Sequence, residues 1–254
     1  MRVNYVAEGP EDGEIVVFSG SLGSDLRMWE LQVEPLVENG FRVIRYDHRG
    51  HGDSPVPEGP YSIADIGGDL VALLDALDVP RAHVVGLSLG GMTGMWAGAN
   101  APERIASLVL CCTSAKLGPP GSWADRARAV RASGTGSIAQ GVVSRWVTLV
   151  YQERHPERVE YLRQMVTDTS DEGYAACCGA IERMDLTGDL PKISAPTLVI
   201  SGTEDQATPP DHGQRIADAI PGARLEIVEG AAHLGNVEQS ARFTELILEH
   251  LKAA

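Results

Sequence analysis

Residues 84–92, VVGLSLGGM, bring an apolar run to an abrupt stop at a serine set between glycines. Gly86-Leu87-Ser88-Leu89-Gly90 fits G-x-S-x-G, a pattern that carries little weight alone and gains it from its flanks. AHVV enters as a strand and GMTGMWAGANA leaves as a helix, the strand-turn-helix setting of a nucleophile elbow. Glycines at 86 and 90 let strand and helix approach without a clashing Cβ, which places Ser88 on a strained turn with its hydroxyl exposed. The helix start then offers backbone N–H groups to developing negative charge. The competing reading is a turn whose serine is structural.

A serine hydroxyl is a poor nucleophile at neutral pH, so this chemistry demands a histidine base and an acid to orient it. Of seven histidines, His233 follows the last strand-like run in EGAAHLGN, where ligands of open α/β sheets bind. His250 falls in the final helical turn, His155 and His212 read as surface residues, and His83 opens a strand. The acid belongs after a strand, in chain order serine, acid, histidine. SGTEDQATPP offers Asp205, with Glu204 as the alternative. Acyl transfer also needs two donors for an oxyanion: Leu89 N–H after the nucleophile, and one from SGSLGSDLRMW (19–29), placed at Leu22. Asp47, His48, His51 and Asp53 in DHRGHGDS form a dense set of potential metal ligands, but no partner cluster lies elsewhere in the chain. They read as a polar loop after a strand, and no metal or other cofactor is expected.

These groups must be carried by a scaffold. EIVVFSG (14–20), FRVIRYD (41–47), AHVVGLS (82–88) and IASLVLCCTS (105–114) read as buried strands. Ile63, Ile66, Leu70, Leu73, Leu74 and Leu77 recur at helical spacing behind Ser62, a capping residue. This alternation predicts parallel strands with right-handed crossovers, a doubly wound α/β sheet. From Lys116 to Asp189 no strand-like run occurs, which predicts an inserted helical cap (116–189) in a core made of 1–115 and 190–254. Gly/Pro/Ser-rich 118–122 and the Pro191–Pro196 stretch are its expected hinges. Alternation resumes with APTLVISGT (195–203), ARLEIVEG (223–230) and a last helix near 237–252.

The chain has 254 residues, 43% of them hydrophobic, enough for one sizeable core. No window approaches the roughly 18 apolar residues of a membrane span, and the N-terminus lacks a leader pattern, which predicts a cytoplasmic protein with no membrane partner. Cys111-Cys112 and Cys177-Cys178 are adjacent pairs without metal-ligand spacing and read as reduced, buried thiols. The net charge of −14 repels nucleic acid and obliges an anionic substrate to find a local cation.

Together, SGSLGSDLRMW, DHRGHGDS, GLSLG, SGTEDQATP and AAHLGNVEQ resemble the serine-dependent α/β-hydrolase fold with a helical cap. Within that superfamily SGSLGSDLRMWE, LVLCCTSAKLGPP, SRWVTLVY, EGYAACCGAIERMDL and SGTEDQATPP look most like 3-oxoadipate enol-lactonases of the β-ketoadipate pathway. Two departures are visible: Gly20 stands where many relatives carry a histidine, and one N-terminal strand is legible where the fold usually opens with a hairpin. The resemblance implies hydrolysis of a five-membered unsaturated lactone with an acetate arm. Its carboxylate needs a cation, for which Arg145 beside Trp146 is the candidate, Arg183 and Lys116 the alternatives, while Trp146 would form an apolar wall. Rival readings are another carboxylesterase, lactonase or perhydrolase of the same fold, and a ligand-binding receptor with a hydrolase-like pocket.

Overall fold

The computed structural model describes residues 2–254. Among them, one sheet contains β1 (Tyr5–Glu8), β2 (Ile15–Ser19), β3 (Arg42–Tyr46), β4 (Ala82–Leu87), β5 (Ile105–Cys111), β6 (Thr197–Gly202) and β7 (Arg224–Val228), in the order β1-β3-β2-β4-β5-β6-β7. Strands β2 to β7 run parallel to one another. The six strand-like runs of the sequence fall on these six. The first strand corrects the single-strand reading of the N-terminus: Tyr5–Glu8 pairs antiparallel with β3, so β1 and β2 lie on opposite sides of β3 and form no hydrogen-bonded hairpin.

The sheet is covered on both faces, and its side chains alternate between two cores as the pleat requires. Val17, Val84, Leu108, Leu110 and Val199 pack with Ile66, Leu70, Leu73 and Leu74 of α2 (Ile63–Ala76), Met92 and Met95 of a central helix (Leu89–Asn100) and Ile216 of another (Pro210–Ala219). Val16, Phe18, Val43, Val85, Val109, Leu198 and Ile200 face the other way, toward Leu36 of α1 (Glu30–Glu38) and Phe243, Leu246 and Ile247 near the C-terminus. Ser62 caps α2 as expected, its side chain accepting from Asp65 N–H while Asp65 accepts from Ser62 N–H, a reciprocal capping box.

Between β5 and β6 the chain is helical. After the central helix α3 (Leu89–Asn100) come α4 (Ser122–Ser133), α5 (Gly136–Trp146), α6 (Leu149–Arg154), α7 (Pro156–Asp168) and α8 (Asp171–Arg183), an insert whose inner faces join both cores. The outgoing and returning segments meet where Leu186 N–H donates to Ala115 O (2.9 Å) and Lys116 pairs with Asp185 (2.7 Å). Beyond β6 lie α9 (Pro210–Ala219), α10 (Gly235–Glu238) and α11 (Ser240–Ala253). The single last helix read near 237–252 is therefore two, divided at Gln239 (φ −119°, ψ 46°), because apolar spacing continues across the break. No helix among the described residues is long and apolar enough to cross a membrane. All four cysteines are buried and unbridged.

Candidate active site

Ser88 caps the junction of β4 and α3 at φ 57°, ψ −113°, a left-handed setting that L side chains rarely occupy and that costs roughly 1–3 kcal/mol. The surroundings hold it there. Ser88 N–H donates to Cys111 O (3.0 Å), and Ser88 O accepts from Met92 N–H (3.0 Å) and from Thr113 Oγ1 (2.7 Å). A Cβ on Gly86 would lie 2.2 Å from Gly90 O, and one on Gly90 would lie 2.0 Å from Ser19 O. The two flanking glycines of the sequence pattern are thus required by contact between β4, α3 and the end of β2.

Asp205 lies just past β6, buried, and its carboxylate is satisfied on every side. Oδ1 accepts from Ala207 N–H (2.8 Å) and Thr208 N–H (3.0 Å), a local aspartate turn, while Oδ2 accepts from Thr208 Oγ1 (2.7 Å). His233 Nδ1 lies 2.9 Å from Oδ2 and 3.1 Å from Oδ1, with both residues buried. Burial alone would push this carboxyl up. The His233 ring and the hydrogen bonds from His233 and Thr208 outweigh it and hold Asp205 well below the usual carboxylate range. An ionised carboxylate only accepts, so Nδ1 carries the proton and a neutral ring keeps Nε2 as an acceptor. Glu204, the alternative acid, is exposed and faces away.

The His233 loop is tied to the helical insert. Leu234 N–H donates to Trp146 O (2.7 Å), and Glu238 accepts from Ala232 N–H (3.0 Å), from Thr148 N–H (3.2 Å) and from the Thr148 hydroxyl. Across from it, Leu22 sits in a loop pinned at its neighbours: Ser21 N–H points to Met28 Sδ (3.1 Å) and Gly23 N–H donates to His51 Nε2 (3.0 Å). Leu89 is the first residue of α3, where a backbone N–H has no acceptor within the helix.

A cavity of about 280 Å³ unites Ser88, His233, Leu22, Trp146 and Arg145. Trp146 is a buried wall and Arg145 an exposed residue at the mouth. A larger depression of about 590 Å³ shares Arg145 and Gln206 but contains neither Ser88 nor His233. The alternative cations point elsewhere, Lys116 to Asp185 (2.7 Å) and Arg183 to Tyr61 O (2.5 Å). In DHRGHGDS, Asp47 accepts from Leu26 N–H (2.7 Å) and Asn4 Nδ2 (2.7 Å), and His48 Nε2 meets Ser19 Oγ (3.2 Å) and Gly20 O (3.1 Å). Among the described residues no group of three or more His, Cys, Asp or Glu could hold a metal ion.

One histidine sits differently from its sequence reading: His212, read as a surface residue, is half-buried against Ser114 Oγ (2.7 Å). His250 lies in the last turn of the final helix as expected, buried there with Nε2 3.3 Å from Pro196 O. Sequence reasoning missed Thr208, Glu238 and Arg126, the last of which also lines the cavity. Thr208 carries a usable signal, three residues past an aspartate in a turn; the other two reach the site only through the fold.

The alpha/beta hydrolase fold family matches residues 14–240 of this chain. A 3-oxoadipate enol-lactonase of Acinetobacter baylyi is 41% identical over 247 residues, covering 97% of this chain and 92% of that protein. The crystal structure of an enol-lactonase from Burkholderia xenovorans LB400 superposes with a TM-score of 0.96 at 41% identity, over 98% of this chain and 96% of that one. A thermophilic esterase from Thermogutta terrifontis, solved with malate bound, gives a TM-score of 0.93 at 32% identity over 99% of this chain and 93% of that one.

Proposed function

The chain belongs to the alpha/beta hydrolase fold family, and from that premise we propose that it is a serine hydrolase opening 3-oxoadipate enol-lactone to 3-oxoadipate, in the β-ketoadipate pathway of aromatic catabolism. The observation that carries this reading is one cavity holding Ser88, His233 backed by Asp205, and the cation Arg145. The enol-lactonase relatives support the choice of lactone, and the malate in the esterase structure supports a pocket that accepts a carboxylate.

In this mechanism Ser88 Oγ attacks the ring carbonyl as His233 Nε2 takes its proton. Asp205 keeps Nδ1 protonated and stabilises the imidazolium. The Leu22 and Leu89 N–H groups receive the oxyanion, which matters most in a cavity that excludes bulk water. Collapse of the tetrahedral adduct expels the ring oxygen as an enol, a better leaving group than an alkoxide, which takes the proton from His233 and tautomerises to the ketone. Water activated by His233 then releases the acyl group from Ser88. No metal or cofactor enters any step. The insert acts as a cap between 116 and 189 on a core of 1–115 and 190–254, with Trp146 as wall and Arg145 as carboxylate partner.

The esterase relative favours a second reading, a carboxylesterase using the same three side chains on an open-chain ester. Rates on the enol-lactone and on 4-nitrophenyl acetate separate the two: the first reading expects the lactone to be preferred by at least tenfold, the second the ester.

A further inference from the structure

His233 takes its ring orientation from the core and its backbone position from the insert. Asp205 fixes the ring at Nδ1, but the peptides on either side of His233 are fastened elsewhere. On the C-terminal side, Leu234 N–H donates directly to Trp146 O (2.7 Å). On the N-terminal side, Ala232 N–H donates to Glu238 Oε2 (3.0 Å), and Glu238 Oε1 accepts from Thr148 N–H (3.2 Å) and from the Thr148 hydroxyl. The base is thus held by residues 146 and 148, on the segment that leads out of α5 and into α6. One tie is direct; the other exists only through Glu238.

The chemistry of that second tie accounts for the residue. Ala232 and Thr148 both present donors, so they can be joined only by a group that accepts in two directions. A carboxylate does this with its two oxygens, whereas a glutamine has one acceptor and would turn its N–H₂ toward one of the donors. The Thr148 hydroxyl has a single proton, which goes to Glu238, while its oxygen accepts from Tyr151 N–H (3.2 Å) and caps α6. Glu238 also stands apart from the reacting atoms. With Ala232 and Thr148 it lines the larger depression, whereas Ser88 and His233 line the smaller cavity, walled by Val142, Arg145 and Trp146 of α5. An effect of Glu238 on rate must therefore pass through the His233 loop.

We propose that Glu238 is a positioning residue: it fastens the peptide before His233 to Thr148, so that the insert walling the cavity also sets where His233 Nε2 stands relative to Ser88. This rests on the serine-hydrolase reading of Ser88 and His233 and not on the choice of lactone. Cutting the tie leaves the Asp205 and Leu234 bonds in place, so the ring keeps its tautomer and loses accuracy of placement. The chemical step suffers and binding does not; a misplacement of about 1 Å lowers a rate by as much as about 100-fold.

Two reactions of the full chain test this. Diethyl 4-nitrophenyl phosphate reads the activation of Ser88 without a lactone: Oγ bonds to phosphorus, 4-nitrophenolate leaves with the electron pair, and the serine proton passes to His233. Hydrolysis of 4-nitrophenyl acetate supplies kcat and KM. Glu238→Gln should lower both the maximal inactivation rate and kcat by about tenfold to 100-fold, with KM within about twofold of wild type. Thr148→Val, which removes the hydroxyl from the insert side, should lower both rates by about threefold or more, and Thr148→Ser, which keeps it, should retain wild-type rates. That pair keeps the test open if Glu238→Gln does not fold. The double variant should be no slower than Glu238→Gln alone, because both changes cut one tie. Wild-type rates in Glu238→Gln or Thr148→Val, losses that multiply in the double variant, or a loss confined to KM would overturn the positioning role. A wild-type chain whose Ser88 takes up no phosphoryl group would instead defeat the serine-hydrolase reading, and the role with it.

Discussion

Ser88 is the residue on which the chemistry depends, and removing its hydroxyl separates chemistry from fold. Ser88→Ala keeps the backbone contacts to Cys111, Met92 and Thr113, so unchanged circular dichroism with turnover reduced to background is expected. Asp205→Asn acts more subtly. An amide can present N–H where the carboxylate accepts, which turns the His233 proton to Nε2 and removes the base; kcat should fall by a factor on the order of 10⁴ with KM little changed, as steady-state rates would show. Thr208→Val withdraws one donor from Asp205 at 2.7 Å and should cost a smaller share of kcat. At this scale the sequence was informative for side chains that follow strands. Ser88, Asp205 and His233 come one, three and five residues after the ends of β4, β6 and β7, and the structure puts them at one end of the sheet. Arg126 gave no such signal. An arginine on a polar helix reads as solvated surface, and only the packing of α4 against α5 and α8 turns it toward the cavity.

The elbow makes its demand on the elements around it. Because Cβ atoms at Gly86 and Gly90 would approach backbone atoms within 2.2 Å and 2.0 Å, relief must come from moving β2, β4 or α3 rather than a side chain. Gly90→Ala should therefore destabilise by about 1–3 kcal/mol or more, a Tm loss of about 2–4 °C per kcal/mol for a chain of this size, and should lower kcat in the surviving native fraction. A thermal melt that leaves Tm within a degree would contradict this account of the turn. Buried strands were readable because continuous apolar runs bounded by glycine, aspartate or serine have few other uses. The edge strand β1 was not: it is four residues long, half-exposed, and followed by Gly9-Pro10, which reads as a turn. The break at Gln239 was hidden for the opposite reason, since Val237, Phe243, Leu246 and Ile247 keep a helical spacing on both sides of it.

For the molecule as a whole, buried and half-buried histidines set the response to acid. Five of the seven, His48, His51, His83, His212 and His250, have pKa values lowered first by burial, with His48 near 3 and His51 near 4. In the unfolded chain each returns to roughly 6.5. Between those limits the unfolded state binds more protons than the folded one, so stability rises with pH there and is lost as pH falls from about 6.5 toward 4, at up to about 1.4 kcal/mol per pH unit for each fully buried ring. Asp205 acts further down: its lowered pKa adds stability above about 4, lost as pH drops through its folded value. Urea midpoints should therefore decline steadily from pH 7 to pH 4. His51→Asn should flatten that slope, and because His51 accepts from Gly23 N–H beside Leu22, it should also lower kcat.

The most direct test of the account is the hydrolysis of freshly generated 3-oxoadipate enol-lactone, followed by loss of its ultraviolet absorbance, beside 4-nitrophenyl acetate under the same conditions. The account predicts a kcat/KM above about 10⁴ M⁻¹s⁻¹ for the lactone, at least tenfold above the ester, and no activity in Ser88→Ala. Turnover of the ester with none of the lactone, or lactone hydrolysis that survives Ser88→Ala, would contradict it.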